Sequence, residues 1–92
     1  MKISLCIPLY NEEKILSDTV RSVSEYMRER FGDDFETIYI NDGSTDSSQA
    51  ILNDITDPCV RVISYEKNRG KGYAVRQGML VSPKSHVHLF SC

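Results

Sequence analysis

Three short segments carry side chains suited to holding a ligand. In Asn41-Asp42-Gly43-Ser44-Thr45-Asp46 an apolar run stops at Asp42, whose carboxylate could accept an N–H from the edge of a uracil or guanine base. A charge-assisted hydrogen bond of this kind is worth about 1.5–3 kcal/mol, so its loss would weaken binding roughly ten- to a hundredfold. In Pro8-Leu9-Tyr10-Asn11-Glu12-Glu13 the Tyr10 ring could lie against a flat heterocycle, and Glu12 could accept hydrogen bonds from ribose hydroxyls. In Asn68-Arg69-Gly70-Lys71-Gly72-Tyr73-Ala74 two glycines around Lys71 let the backbone approach an anion, with Arg69 adding positive potential. A diphosphate fits that description. Each segment also has a purely structural reading: Asp42 and Asp46 as caps of a turn and helix, Glu12 and Glu13 as first-turn acids, and the third segment as a solvated basic loop. Ser44 and Thr45 read as turn and cap residues.

The elements around these segments follow from periodicity. Ile3 to Tyr10 is apolar except for Ser4 and predicts a strand covered on both faces, with Pro8 near its end. Asn11 is placed to cap a helix opened by Glu12 and Glu13, and Leu16, Val20, Val23 and Met27 form its inward stripe, with Ile15, Thr19 and Tyr26 beside them. Basic residues gather before Gly32, where the helix should stop. Residues 36–41 predict a second strand, and a helix from Thr45 or Asp46 carries Ala50, Ile51, Leu52 and Ile55 before Asp57-Pro58 forbids continuation. Val60 to Tyr65 reads as a third strand. A third helix is expected from Gly72 to Leu80, and a fourth strand from His86 to Phe90.

Alternation of strand and helix predicts an α/β fold with an open parallel sheet, Rossmann-like βαβαβαβ in the order 3-2-1-4. The switch point then lies between strands 1 and 4, where loops at the carboxyl ends converge on a crevice. All 92 residues are expected to form one small domain.

Composition excludes several classes of function. A hydrophobic share of 40% and a charged share of 26% are ordinary for a globular chain, which argues against disorder and fibrous repeats. A net charge of −2, with its basic residues scattered, leaves no electrostatic footprint for nucleic acid. Cys6, Cys59 and Cys92 lie far apart, an odd number without a CxxC pair, which points to a reducing compartment; Cys6 reads as a small buried hydrophobe. No apolar stretch reaches the roughly 20 residues of a membrane span, and no signal peptide is recognisable, so a cytoplasmic location is expected. The third segment is neither a P-loop nor a dinucleotide fingerprint, since Val75 stands where the third small residue should be. His86 and His88 share one side of a strand but lack a third ligand, so no metal site is assigned to them.

Taken in order and at their spacing, the three segments resemble the nucleotide-sugar-binding, N-terminal half of the family 2 inverting glycosyltransferases with the GT-A fold, over residues 3 to about 80. The Gly70-Lys71-Gly72 loop and the Ala74-Val75-Arg76 run look most like enzymes that load a sugar onto polyprenyl or dolichyl phosphate. The resemblance implies that Pro8, Tyr10 and Glu12 line a nucleoside site, that Asp42 contacts the base of a UDP- or GDP-linked sugar, and that Lys71 lies near the diphosphate. It implies Mg²⁺ or Mn²⁺ in the complete enzyme, held by an Asp-x-Asp motif that should begin near position 91; Ser91 and Cys92 stand there instead. No catalytic base is identifiable either. The 92 residues are therefore expected to be a truncated nucleotide-binding piece, inactive alone and binding no metal tightly, from a protein on the cytoplasmic face of a membrane. Self-association through the edge at Val87 to Phe90 is a further expectation. The competing reading is a nucleotide-binding or regulatory module without chemistry. A response-regulator-like domain gives the Gly70-Lys71-Gly72 loop no role.

Overall fold

The structure is a computed structural model that describes residues 3–67, Tyr73, Arg76 and the backbone of 86–89. Its elements are strand β1 (Ile3–Leu9), helix α1 (Glu13–Phe31), strand β2 (Phe35–Asp42), helix α2 (Ser48–Asn53), strand β3 (Val60–Tyr65) and strand β4 (His86–Leu89). The sheet runs β3-β2-β1-β4 with every pair parallel. An α/β fold with an open parallel sheet is thus present. The expected third helix falls mostly outside the described residues, within which Tyr73 and Arg76 are helical.

Alternation along β1 and β2 divides the core between two faces. Leu5, Ile7, Leu9, Phe35 and Tyr39 face α1 and α2 and pack with Leu16, Met27 and Leu52. Cys6, Ile38 and Ile40 occupy the other face, with Ile63 and Tyr65 beside them. Both central strands are buried from end to end apart from Ile3, as the near-continuous apolar runs require. Each fully buried aliphatic side chain contributes about 1.5–3 kcal/mol. Among the stripe residues of α1, Leu16 and Met27 are fully covered and Val20 and Val23 partly so. Ile15 and Tyr26, expected beside that stripe, are instead exposed, and the Tyr26 ring lies 4.5 Å beneath the Arg30 guanidinium. At 100° per residue both rotate past the edge of the contact.

The second helix is shorter than its apolar pattern suggests. It begins at Ser48 rather than Thr45 or Asp46, because residues 45–47 are engaged in hydrogen bonds described below, and it ends at Asn53 with Ile55 beyond it. Helix α1 ends as expected: Gly32 adopts φ +62°, and its N–H donates to the Arg28 carbonyl at 2.9 Å.

A clamp holds the edge at the amino ends of the strands. Arg28, in the last turn of α1, donates through Nη2 to both Asp57 oxygens at 3.0 and 3.2 Å and lies 5.4 Å over the Phe35 ring. Asp57 Oδ1 also accepts the Cys59 N–H at 2.9 Å, which turns the chain into β3. Partial burial of Asp57 would raise its carboxyl pKa, but the hydrogen bonds from Arg28 and Cys59 and the Arg28 charge outweigh it and hold the group below the usual range. On the second face Ser4 Oγ donates to buried Glu36 at 2.8 Å, and Arg61 reaches the other Glu36 oxygen at 3.7 Å. Cys6 is fully buried beside this cluster, and burial, then the Glu36 charge, push its thiol pKa up.

Candidate functional site

The register pairs Leu9 with Asn41, so the loops after β1 and β2 leave the sheet side by side at its carboxyl edge. In that position each loop faces the helix N-terminus of the other, where backbone N–H groups lack intrahelical partners. The two loops satisfy one another. The Asn11 N–H donates to Ser44 Oγ at 2.9 Å, the Glu12 N–H to Ser48 Oγ at 3.1 Å, and the Glu13 N–H to Asp46 Oδ2 at 3.2 Å. In return Asn11 Oδ1 accepts the Thr45 N–H at 2.8 Å, and Glu13 Oε2 accepts the Ser47 N–H at 3.3 Å. Asp46 Oδ1 also takes the Ser48 N–H at 2.9 Å, so one carboxylate serves the openings of both helices. Desolvation would raise the Asp46 pKa, but the hydrogen bonds from Ser48 and from the Glu13 amide prevail, and the carboxyl is held below its ordinary value.

This arrangement corrects the expected role of Asn11. The N-cap position of α1 belongs to Glu12, without a side-chain cap of its own. Asn11 lies one residue earlier with φ +52°, a left-handed conformation that asparagine tolerates better than most residues. Ser44 does act on backbone, but across the crevice, accepting the Asn11 N–H, whereas Thr45 gives its own N–H to the Asn11 side chain.

The candidate ligand residues fall as follows. Pro8 is buried in β1 opposite Ile40, Tyr10 is 45% exposed at the mouth of the crevice, and Glu12 is half-buried at the start of α1. Asp42 is the last residue of β2, 5% exposed, on the same face of the sheet as Pro8 and with Tyr65 of β3 as its register partner. Gly43 follows with φ +72°, where any side chain would be strained, and this bend turns the chain away directly after the carboxylate. Two of the three polar segments therefore meet at one rim. Lys71, with Arg69, Gly70 and Gly72, lies outside the described residues, as do the side chains of His86 and His88. Tyr73, which follows the Gly70-Lys71-Gly72 loop in sequence, packs edge-on against Tyr65 with ring centroids 5.1 Å apart.

Gln49 and Ser64, which join Asn41 in a second polar group, were not singled out by sequence. Gln49 Oε1 accepts from Asn41 Nδ2 at 2.7 Å and from Ser64 Oγ, tying α2 to the ends of β2 and β3. Asn41 Oδ1 meanwhile accepts the Ser44 N–H at 3.0 Å and shapes the turn that contains Asp42 and Gly43. These residues line an open cleft of about 270 Å³ with Tyr65 and Glu66. Its only foreshadowing in the sequence is the presence of polar residues at strand ends and in the first turn of a helix.

Among the described residues no group of three or more His, Cys, Asp or Glu side chains could hold a metal ion. Asp42 by itself does not make a divalent-metal site. Nor, among the described residues, is any helix long and apolar enough to cross a membrane.

Residues 4–83 match the protein-family model described as glycosyl transferase family 2. The chain is 37% identical over 81 residues to a prophage bactoprenol glucosyl transferase homolog of Escherichia coli (strain K12), covering 86% of this chain and 26% of that protein. It is 33% identical over 85 residues to the dolichyl-phosphate beta-glucosyltransferase of Saccharomyces cerevisiae, covering 85% of this chain and 25% of that protein. The chain thus spans about a quarter of the length of the curated relatives it matches. Its fold superposes with a TM-score of 0.84 on the mannosyltransferase PcManGT from Pyrobaculum calidifontis in complex with GDP-Man and Mn²⁺, at 17% identity, over 98% of this chain and 27% of that one. The shared fold is GT-A.

Proposed function

Because the chain belongs to glycosyl transferase family 2, we propose that its carboxyl-edge crevice holds the nucleoside of a UDP- or GDP-linked sugar. The observation that carries this reading is the joining of the two loops around a buried carboxylate: Asp42 ends β2 while the Asn11–Thr45 and Glu12–Ser48 hydrogen bonds bring the Tyr10 segment alongside. In this reading Asp42 accepts an N–H of the base, the Tyr10 ring covers its face, Glu12 takes ribose hydroxyls and Pro8 stiffens the floor. Lys71 balances diphosphate charge. Residues 1–92 act as one nucleotide-sugar-binding unit.

The complete enzyme transfers the sugar to an acceptor, for which the names of the E. coli and yeast relatives suggest a polyprenyl or dolichyl phosphate. In an inverting transfer an acceptor oxygen attacks the anomeric carbon, the bond from that carbon to the diphosphate oxygen breaks, and the nucleoside diphosphate leaves with the electron pair. The complete enzyme uses a divalent metal, Mg²⁺ or Mn²⁺, as suggested by the Mn²⁺ complex of the archaeal mannosyltransferase. The residues described here do not fit such an ion, and the 92 residues contain no Asp-x-Asp pair. We therefore expect them to bind nucleotide weakly and to transfer no sugar by themselves. The complete protein works at the cytoplasmic face of a membrane, and β4, at the edge of the described sheet, gives the isolated chain a route to self-association.

Titration of the chain with UDP and GDP, followed by amide chemical shifts with and without Mn²⁺, tests this. Weak binding, little changed by Mn²⁺ and lowered roughly ten- to a hundredfold by Asp42→Asn, is expected. Tight metal-dependent binding would overturn the assignment of residues, and silence toward both nucleotides would overturn the site itself.

A further inference from the structure

The left-handed residue between Tyr10 and Glu12 has a task that a helix cap would not perform. Asn11 adopts φ +52°, the only positive φ outside glycine among the described residues. A non-glycine residue in this region loses roughly 1–2 kcal/mol unless its surroundings hold it there. Here they do. The Asn11 N–H donates to Ser44 Oγ at 2.9 Å, and its Oδ1 accepts the Thr45 N–H at 2.8 Å. The Thr45 hydroxyl lies 3.4 Å from Nδ2 and 3.5 Å from Oδ1. Backbone and side chain of one residue thus grip two successive residues of the opposite loop, two and three positions beyond Asp42.

We infer that Asn11 is a positioning residue. It sets the chain reversal between Tyr10 and Glu12 and fixes that reversal against the segment that carries Asp42, so that both sides of the crevice address one nucleotide. Asn11 itself need not touch the ligand. The inference rests on the nucleotide reading above and adds to it a residue with a different kind of role. Asparagine suits the task for two reasons: its short amide tolerates the left-handed backbone, and its Oδ1 reaches a neighbouring loop's N–H.

Two substitutions separate positioning from mere stability. Asn11→Gly keeps the left-handed backbone and the bond from its N–H to Ser44, but removes the acceptor for Thr45. Asn11→Asp keeps that acceptor. Chemical-shift titration with UDP and GDP, amide hydrogen exchange at Thr45 and thermal melting are read on the same samples. The glycine variant should bind the nucleotide roughly five- to tenfold more weakly, an effect of about one hydrogen bond. Its Thr45 amide should exchange faster while its melting temperature stays within a few degrees of the parent. The aspartate variant should regain most of the affinity and protection. If the parent binds and the glycine variant binds equally well, the inference fails while the nucleotide reading stands. If affinity across both variants merely follows melting temperature, Asn11 is structural only and the inference is overturned. A parent that binds neither nucleotide removes the reading and the positioning role with it.

Discussion

The two edges of the sheet are held by different means. At the amino edge a long cation does the work: Arg28 reaches Asp57 with two hydrogen bonds and covers the ring of Phe35, joining the end of α1 to the starts of β2 and β3. At the carboxyl edge the two loops trade polar side chains for one another's backbone amides. Hydrogen bonds to fixed backbone amides are directional and short in reach, whereas an exposed guanidinium tolerates displacement. The edge proposed to hold a nucleotide uses the stricter device, and the other is built for cohesion.

The contrast can be broken from either side. Phe35 is 1% exposed at the amino edge, and Phe35→Ala should destabilise the chain by about 3–5 kcal/mol, enough to unfold much of a domain this small, as read by urea denaturation. Ser48 is fully buried at the carboxyl edge and accepts the Glu12 N–H; Ser48→Ala should remove about 1–2 kcal/mol and increase exchange of the Glu12 amide. Between the edges, Thr37 Oγ1 is buried with no hydrogen-bond partner among the described residues. Thr37→Val should therefore raise stability by about 1 kcal/mol, and a loss in the same urea experiment would refute this account.

Acid sharpens the comparison, because each edge has one carboxyl whose pKa is lowered on folding, Asp46 at the rim and Asp57 at the clamp. Between the folded value and the unfolded value of about 3.9 the unfolded chain binds more protons, so stability is fully present above about pH 4 and is lost as pH falls through the folded pKa. Asp46→Asn should remove the rim's share of this acid dependence and Arg28→Ala part of the clamp's share, each seen as a flatter profile of urea midpoint against pH. The exposed Asp18–Arg21 pair on α1 belongs to neither edge, and Asp18→Ala should leave the midpoint nearly unchanged.

Much of the frame could be read from sequence because it is local. The apolar runs of β1, β2 and β3, the Leu16 to Met27 stripe and the stop at Gly32 each depend on neighbours within a few residues. Where local pattern failed, a distant partner had intervened. Thr45, Asp46 and Ser47 are cap-forming types, yet all three are bonded to the Asn11–Glu13 segment, Asp46 while also accepting the Ser48 N–H, and α2 starts at Ser48. Asn11 reads as a cap for the same reason, since its type fits and only the register of Leu9 with Asn41 reveals whose amide it meets. The place of Asp42 at the end of β2 was legible because the apolar run stops there. Gln49 was missed because its importance arises from joining Asn41 and Ser64, eight and fifteen residues away.

The exchange between the loops also constrains how this crevice can be redesigned. Five backbone amides, those of Asn11, Glu12, Glu13, Thr45 and Ser47, are satisfied, among the described residues, by side chains of the facing segment. A chimera that imports one loop from a relative would strand donors on both, whereas transplanting the pair together carries its own complement. For protein engineering, the heritable unit of this rim is two segments some thirty residues apart, to be exchanged as a set.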